Sequence, residues 1–356
     1  MTDDGTEAGD APSDTMRRRG DGSSLKLRVL LETNRWVVAG GVVAAFLLGT
    51  LVTAAVLPAG ALVDAGDPVE TLFQALVTAT ITGVTLVVSI NSLVLSRELG
   101  PLGDQRDRME GSMSFRRDVE EELGVDVTPA SPAAFLGELV AAVEDRSHRL
   151  SAAVADADTE SAVDVDAIEE YARELERHAS TVGAELSGRQ FGTFDVLSAA
   201  LNFNYSWKIS EARRLRAGLD AGSGESEPGV EAVASELDAI VAVLTLFGPA
   251  REHVKTLYFR WELVDLSRAI LYTAVPAVVV AINVLLFHDA LAGIPGTALG
   301  ITLHVWVVAA ATAVAMVPFA VLLAYVLRLG TVAKRTLSIG PFILRTRSGE
   351  RRDGGS

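Results

Sequence analysis

The sequence predicts an all-α polytopic membrane protein: four transmembrane helices in two hairpins, with a helical cytoplasmic insert between them. Three observations predict it. Four runs of 19 residues or more contain no Asp, Glu, Lys or Arg. The flanks of those runs are basic on one side of the predicted bilayer only. Between the second and third runs the apolar residues recur at helical spacing, without the alternation of a strand.

In chain order, residues 1–24 are rich in Asp, Gly, Ser and Arg, and are expected to be a disordered tail. Residues 25–95 form the first predicted hairpin. Its first span, Trp36–Leu57, is long enough at 1.5 Å per residue to cover roughly 33 Å, a bilayer core. Its second span is Thr71–Leu95. Residues 268–327 form the second hairpin, with spans Ala269–Phe287 and Ile301–Leu327. In hydrocarbon every backbone polar group must be satisfied internally, which makes such runs helices.

The loops set the predicted orientation. Pro58–Glu70 carries Asp64, Asp67 and Glu70 but no Lys or Arg, and His288–Gly300 carries Asp289 alone. The opposite ends are basic, through Lys26, Arg28 and Arg35, then Arg97, Arg106 and Arg108, then Arg260 and Arg268, and last Arg328, Lys334 and Arg335. The positive-inside rule therefore puts residues 96–267, the basic tail 328–356 and both termini in the cytoplasm of a multi-pass protein of the cell membrane.

Within the insert, Ser131-Pro132 reads as an N-cap followed by Pro at the first helical position, ahead of Phe135, Leu136, Leu139, Val140 and Val143. A second helix is expected from about Asp164 to Leu186, with Ile168, Tyr171, Ala172, Leu175 and Ala179 on one face and Gly188 as the stop. A third is expected from about Thr193 past Arg216, ended by the Gly/Ser stretch 221–229. A fourth starts near Val230, and Gly248-Pro249 is expected to break or kink it. From Ala250 to Arg268 the pattern continues as one helix into the third span. Trp261 and Tyr272 would lie in an interfacial aromatic belt.

Net charge bounds the partners. The formal charge is −15, and Lys occurs only at positions 26, 208, 255 and 334. An acidic, lysine-poor surface suits concentrated salt, where charges are screened within about 3 Å. It argues against nucleic acid as a partner. With no cysteine, thiolate catalysis and cysteine-bound metals are excluded. The histidines, His148, His178, His253, His288 and His304, are scattered without metal-ligand spacing. Asp156, Asp158 and Glu160 hint at a calcium loop. Ser161 and Ala167 stand where such a loop needs Gly and Glu. Glu120-Glu121 and Glu169-Glu170 read as solvated helix faces. No phosphate loop or nucleophile–base arrangement is present. No cofactor, no metal and no catalytic activity are expected.

The second span carries the functional reading. Thr71, Gln74, Thr78, Thr82, Thr85, Ser89, Ser92 and Ser96 recur every three or four residues. At about 100° per residue they fall within an arc of roughly 80°, where random placement would put about two. Thr80 and Asn91 fall on the other side. Such a stripe either packs against a neighbouring helix, where small hydroxyl residues allow close approach, or faces water along a pore, where hydroxyls partly replace an ion's hydration shell. Other polar membrane positions are Asn283 and His304. No acidic or basic residue lies in mid-span, against an ion-coupled carrier. In the insert, Asn202, Phe203, Asn204, Tyr205 and Trp207 form a patch that suits either a ligand or subunit contact or simple helix packing.

Phe191-Gly192-Thr193-Phe194-Asp195-Val196-Leu197, with Asn204-Tyr205-Ser206-Trp207, resembles uncharacterised haloarchaeal multi-pass membrane proteins. That resemblance implies no known activity. The order of parts is also similar to bestrophin-type anion channels, in topology only, and no residue is carried over from them. The expectation is a homo-oligomer in the lipid bilayer, with small ions as partners. It would be a channel lined by the hydroxyl face and gated by the cytoplasmic domain. The alternative is a sensor, scaffold or assembly protein without a permeation path, and a membrane enzyme comes third.

Overall fold

The computed structural model describes residues 33–56, 67–157, 165–189, 194–222 and 228–336. The expected N-terminal tail, most of the loop expected to be external after the first span, Asp158 and Glu160 of the acidic stretch, Phe191-Gly192-Thr193, most of the Gly/Ser stretch and the tail beyond residue 336 lie outside them. The described chain is all-α. In order it forms α1 (Arg35–Val56), α2 (Pro68–Glu98), α3 (Leu102–Leu123), α4 (Pro132–Asp156), α5 (Val165–Leu186), α6 (Phe194–Asn202), α7 (Tyr205–Gly222), α8 (Pro228–Ala292) and α9 (Leu303–Thr336). Between α8 and α9 a two-residue antiparallel pair sets Thr297 opposite Thr302 and Ala298 opposite Ile301.

Four of these helices are long and apolar enough to cross a membrane: α1, Pro68–Ser96 of α2, α8 and Leu303–Ala333 of α9. The fourth span starts later than the sequence suggests. Ile301 and Thr302 pair with the preceding strand, because Gly296, Leu299 and Gly300 take positive φ values of 123°, 54° and 78° and turn the chain tightly. The third span was expected to end at Phe287. That residue has the non-helical dihedrals inside α8, φ −118° and ψ 18°.

Two compact units divide the described residues. One contains Arg106–Tyr258 with residues 334–336; the other contains residues 33–105 with Phe259–Ala333. In the first unit the apolar faces close on one another. Leu136, Leu139, Val140 and Val143 of α4, Ala172 and Leu175 of α5, Ala200 of α6, Ala212 of α7, and Leu237, Ile240, Val243, Leu244 and Phe247 of α8 are buried together with Val119 of α3. Each Leu, Ile, Val or Phe side chain among them contributes about 1.5–3 kcal/mol on burial. Pro132 opens α4 as expected, but Ser131 makes no side-chain cap bond. Gly188 ends α5 with φ 69°.

Two expectations fail in this unit. The single helix expected from Thr193 past Arg216 is two helices, α6 and α7, with Phe203 and Asn204 between them outside the helical pattern. The ring of Phe203 sits in the core, 5.3 Å from His178 and 5.1 Å edge-on to Phe247, and burying it there bends the chain. Conversely α8 runs through Gly248-Pro249 with helical dihedrals. Gly248 serves close approach instead: a Cβ there would meet the ring of Tyr205 at 3.0 Å. The buried residues on either side, Phe247 and Ala250, hold the helix in register across the missing proline N–H.

In the second unit, Ala39 of α1 and Val87 of α2 cluster with Leu266, Ala269 and Ile270 of α8 and with Ala320, Val321, Ala324 and Tyr325 of α9. Val69, Phe73 and Leu76 of α2 cluster with Ala281 and Val284 of α8 and with Ala311 and Ala315 of α9. Leu51 of α1 meets Ile301, Val305 and Ala309. Alanines recur through these contacts among larger aliphatic residues, which lets the apolar helices approach closely.

Candidate functional site

The geometry of α2 follows from its two opposed faces. Val69, Phe73, Leu76, Thr80 and Val87 are buried, and they recur every three to seven residues along one side. Thr71, Gln74, Thr78, Thr82, Thr85, Ser89, Ser92 and Ser96 are all exposed. At about 100° per residue the centres of the two sets lie roughly 160° apart. The polar stripe therefore points away from the unit's own core and is exposed within that unit. Thr80, on the inner side, is buried and donates its hydroxyl to Leu76 O at 2.7 Å.

Five of the stripe's seven hydroxyls are oriented by their own helix. Thr78 donates to Gln74 O at 3.0 Å, Thr82 to Thr78 O at 2.8 Å, Thr85 to Ile81 O at 2.9 Å and Ser89 to Thr85 O at 2.8 Å. Ser96 donates to Leu93 O at 3.0 Å. Each proton is turned back to the backbone, so the remaining lone pairs of the oxygens face outward. Chemically the ribbon accepts hydrogen bonds or cations. Leu72, Ile81, Leu86, Val88 and Ile90 flank it as exposed apolar residues.

Asn283 is exposed on α8 and its amide donates to Val279 O at 2.8 Å. His304 is buried at the start of α9, 6% exposed, with the ring of His288 at 5.5 Å. Spacing in the sequence gave no sign of that pair, since the two residues lie on different helices.

The patch of Asn202, Phe203, Asn204, Tyr205 and Trp207 separates into core and rim. Phe203 is fully buried. Asn202, Asn204, Tyr205 and Trp207 are half-buried. Tyr205 packs on Phe247 at 6.0 Å and carries the guanidinium of Arg251 over its face at 4.5 Å. Arg251 is 2% exposed and ion-pairs with Glu252 at 3.2 Å. Burial pushes its pKa below the ordinary arginine value, against the opposing pull of Tyr205 and Glu252. Phe203 is therefore packing, and of the two half-buried amides that of Asn202 donates to Glu185 Oε2 at 3.4 Å.

Sequence reasoning also missed two polar contacts. Arg35, at the start of α1, donates to Glu262 of α8 and to the hydroxyl of Tyr325 of α9 at 3.4 Å, and its guanidinium lies 4.8 Å from that ring's centroid. Glu262 is 3% exposed. Along the chain Arg35 reads as a basic flank of the first span and Glu262 as one position of the helix leading into the third; the fold pairs them, with Glu262 buried and Arg35 half-buried. Glu120, read as solvated, accepts from the backbone N–H of Thr128 and from its hydroxyl, both at 2.9 Å. The backbone bond first, and the hydroxyl next, hold this carboxyl below its ordinary pKa. Among the described residues no group of three or more His, Asp or Glu side chains is placed to hold a metal.

The family model of a family of unknown function, DUF7972, matches residues 1–354, and the chain belongs to that family. No curated protein and no solved structure matches it.

Proposed function

We propose that this family member is an oligomeric pore for small cations, lined by the outward polar face of α2. The carrying observation is that all eight stripe residues are exposed while the opposite face of the same helix is buried. Lipid is the same on every side of a helix bundle. A Thr or Ser bonded to its own helix is tolerated by lipid wherever it stands, so lipid alone gives no reason to gather eight polar positions on one side. Their segregation points to a surface that meets something else: water, other copies of the chain, or both. Outward-facing lone pairs favour cations over anions as the solvated species.

In this reading the spans form two hairpins, with the helical domain and both termini in the cytoplasm, which the one-sided Arg and Lys residues support. The acidic, lysine-poor composition suits a cell that works in concentrated salt. Helix α8 supplies Leu237, Val243 and Phe247 to the helical unit's core and Ala277 and Ala281 to the spans, which suits it to gate. The chain is not proposed as an enzyme.

A second reading is favoured by one observation. Hydroxyls that have already donated to their own backbone also suit a dry contact between copies, as in a sensor or assembly protein. Flux decides. Full-length protein in liposomes at high salt is expected to dissipate a potassium gradient faster than a chloride gradient. Replacing Thr82 and Ser89 together by Val and Ala is expected to slow potassium by about tenfold or more. Oligomeric protein with no flux above empty liposomes rejects the pore and leaves the second reading.

A further inference from the structure

We propose that His288 and His304 form a binding site for a divalent first-row transition metal ion, Zn2+ or Cu2+, that clamps the end of α8 to the start of α9. The proposal is independent of conduction, because it rests only on this pair within the unit of the spans.

Three ring nitrogens carry the inference. His288 Nε2, His304 Nδ1 and His304 Nε2 are buried and have no hydrogen-bond partner among the described residues. Imidazole nitrogens are strong donors or acceptors, and leaving one buried without a partner is costly. A neutral imidazole has one lone-pair nitrogen and one N–H, so the two neighbouring rings can offer one lone pair each to a shared ligand, while the other buried nitrogen of His304 keeps its proton. The rings lie 5.5 Å apart at 74°. A metal–nitrogen bond is about 2.0–2.1 Å. A ring nitrogen lies about 1.2 Å from its centroid, so two imidazoles on one tetrahedral ion have centroids roughly 5.4 Å apart. The observed spacing fits that arrangement.

The position is also defined. Phe287, just before His288, has the non-helical dihedrals of α8. The turn before α9 is fixed by the Thr297–Thr302 pairing, by Leu303 N–H donating to Gly296 O at 3.0 Å and by Trp306 Nε1 donating to Ala298 O at 3.0 Å. A rigid short turn holds His304 opposite His288, which suits a site whose ligands must not rearrange. Imidazole selects Zn2+, Cu2+ or Ni2+ over Mg2+ or Ca2+. Water completes the coordination, and Asp289, exposed beside His288, is the nearest carboxylate in sequence.

The test uses full-length protein in lipid nanodiscs after treatment with a chelator. Cu2+ is added and followed by electron paramagnetic resonance, and Zn2+ binding is measured by calorimetry. Coupling to two nitrogens is expected for the natural chain and to one in His288→Gln. Zn2+ affinity is expected to fall by about tenfold or more in either His288→Gln or His304→Gln. Zn2+ is expected to raise the Tm of the natural chain and not that of the double variant. Binding is expected to weaken as the pH is lowered, because protons compete for the same nitrogens. Thermal unfolding without metal identifies variants that are folded, and His288→Gln, at a half-buried ring, decides should His304→Gln be unfolded. Natural protein that binds neither ion more tightly than the folded variants do overturns the site.

Discussion

In the unit around Arg106–Tyr258, Leu136, Leu139, Val143, Leu237 and Phe247 have no exposed surface at all. In the unit of the spans, only 11% of the most apolar stretch of α1 and 17% of that of α2 is buried within the chain, against 44% for α9. The first unit closes its core with its own residues. The second leaves most of two apolar helices uncovered, and one of them turns a polar ribbon outward. Burial within one chain thus accounts for the helical domain and leaves α1 and α2 to be completed by lipid, water or further copies.

The contrast can be broken by removing buried groups from each unit in turn. The largest expected effect is Phe203→Ala, which empties a ring site between His178 and Phe247 and is expected to cost about 3–5 kcal/mol in denaturant unfolding of the helical unit. A loss under about 1 kcal/mol would show that this core is looser than the burial of Phe203 implies. Next, Glu262→Gln removes the carboxylate that the half-buried guanidinium of Arg35 meets in the span unit and is expected to destabilise by about 1–3 kcal/mol. In a double-mutant cycle, Arg35→Gln together with Glu262→Gln is expected to lose less than the sum of the two single changes.

A smaller effect is expected at Glu120. Its carboxyl is held below its ordinary pKa by the Thr128 bonds, so its contribution is present above the unfolded-state pKa and lost as the pH falls through the lower, folded-state value. Glu120→Gln is expected to flatten the acid limb of the stability–pH curve, measured by thermal unfolding at pH 2–6 (about the range where carboxyls titrate). An unchanged limb would mean that Thr128 does not bind the carboxylate in solution. The smallest effect on stability is expected from Thr82→Val, within about 0.5 kcal/mol, because the hydroxyl is exposed and bonded only to its own helix. A large loss would instead place Thr82 in a tight contact between copies.

Much of this contrast was legible in the sequence, for physical reasons. Uncharged runs of bilayer length read directly as spans, and α4 and α5 read from Leu136, Leu139, Val143, Ile168 and Leu175 at helical spacing. The eight-residue stripe was legible too, since one helix's periodicity sets which residues share a side. Tertiary features were not. The break at Phe203 comes from a ring drawn into a core made by other helices, and the continuity at Gly248-Pro249 from packing on either side. The Arg35–Glu262 pair and the His288–His304 pair each join separate helices, and no spacing along the chain encodes such meetings.

The outward face of α2 meeting water is tested most directly by single cysteines, which this cysteine-free chain accepts without background removal. Cysteines at Thr78, Thr82, Thr85 and Ser89 are expected to react with a membrane-impermeant thiol reagent in the lipid-reconstituted oligomer. Those at Val88 and Ile90, exposed on the apolar flanks, are expected to stay protected. Equal protection at all six positions would contradict a wet ribbon and remove the pore.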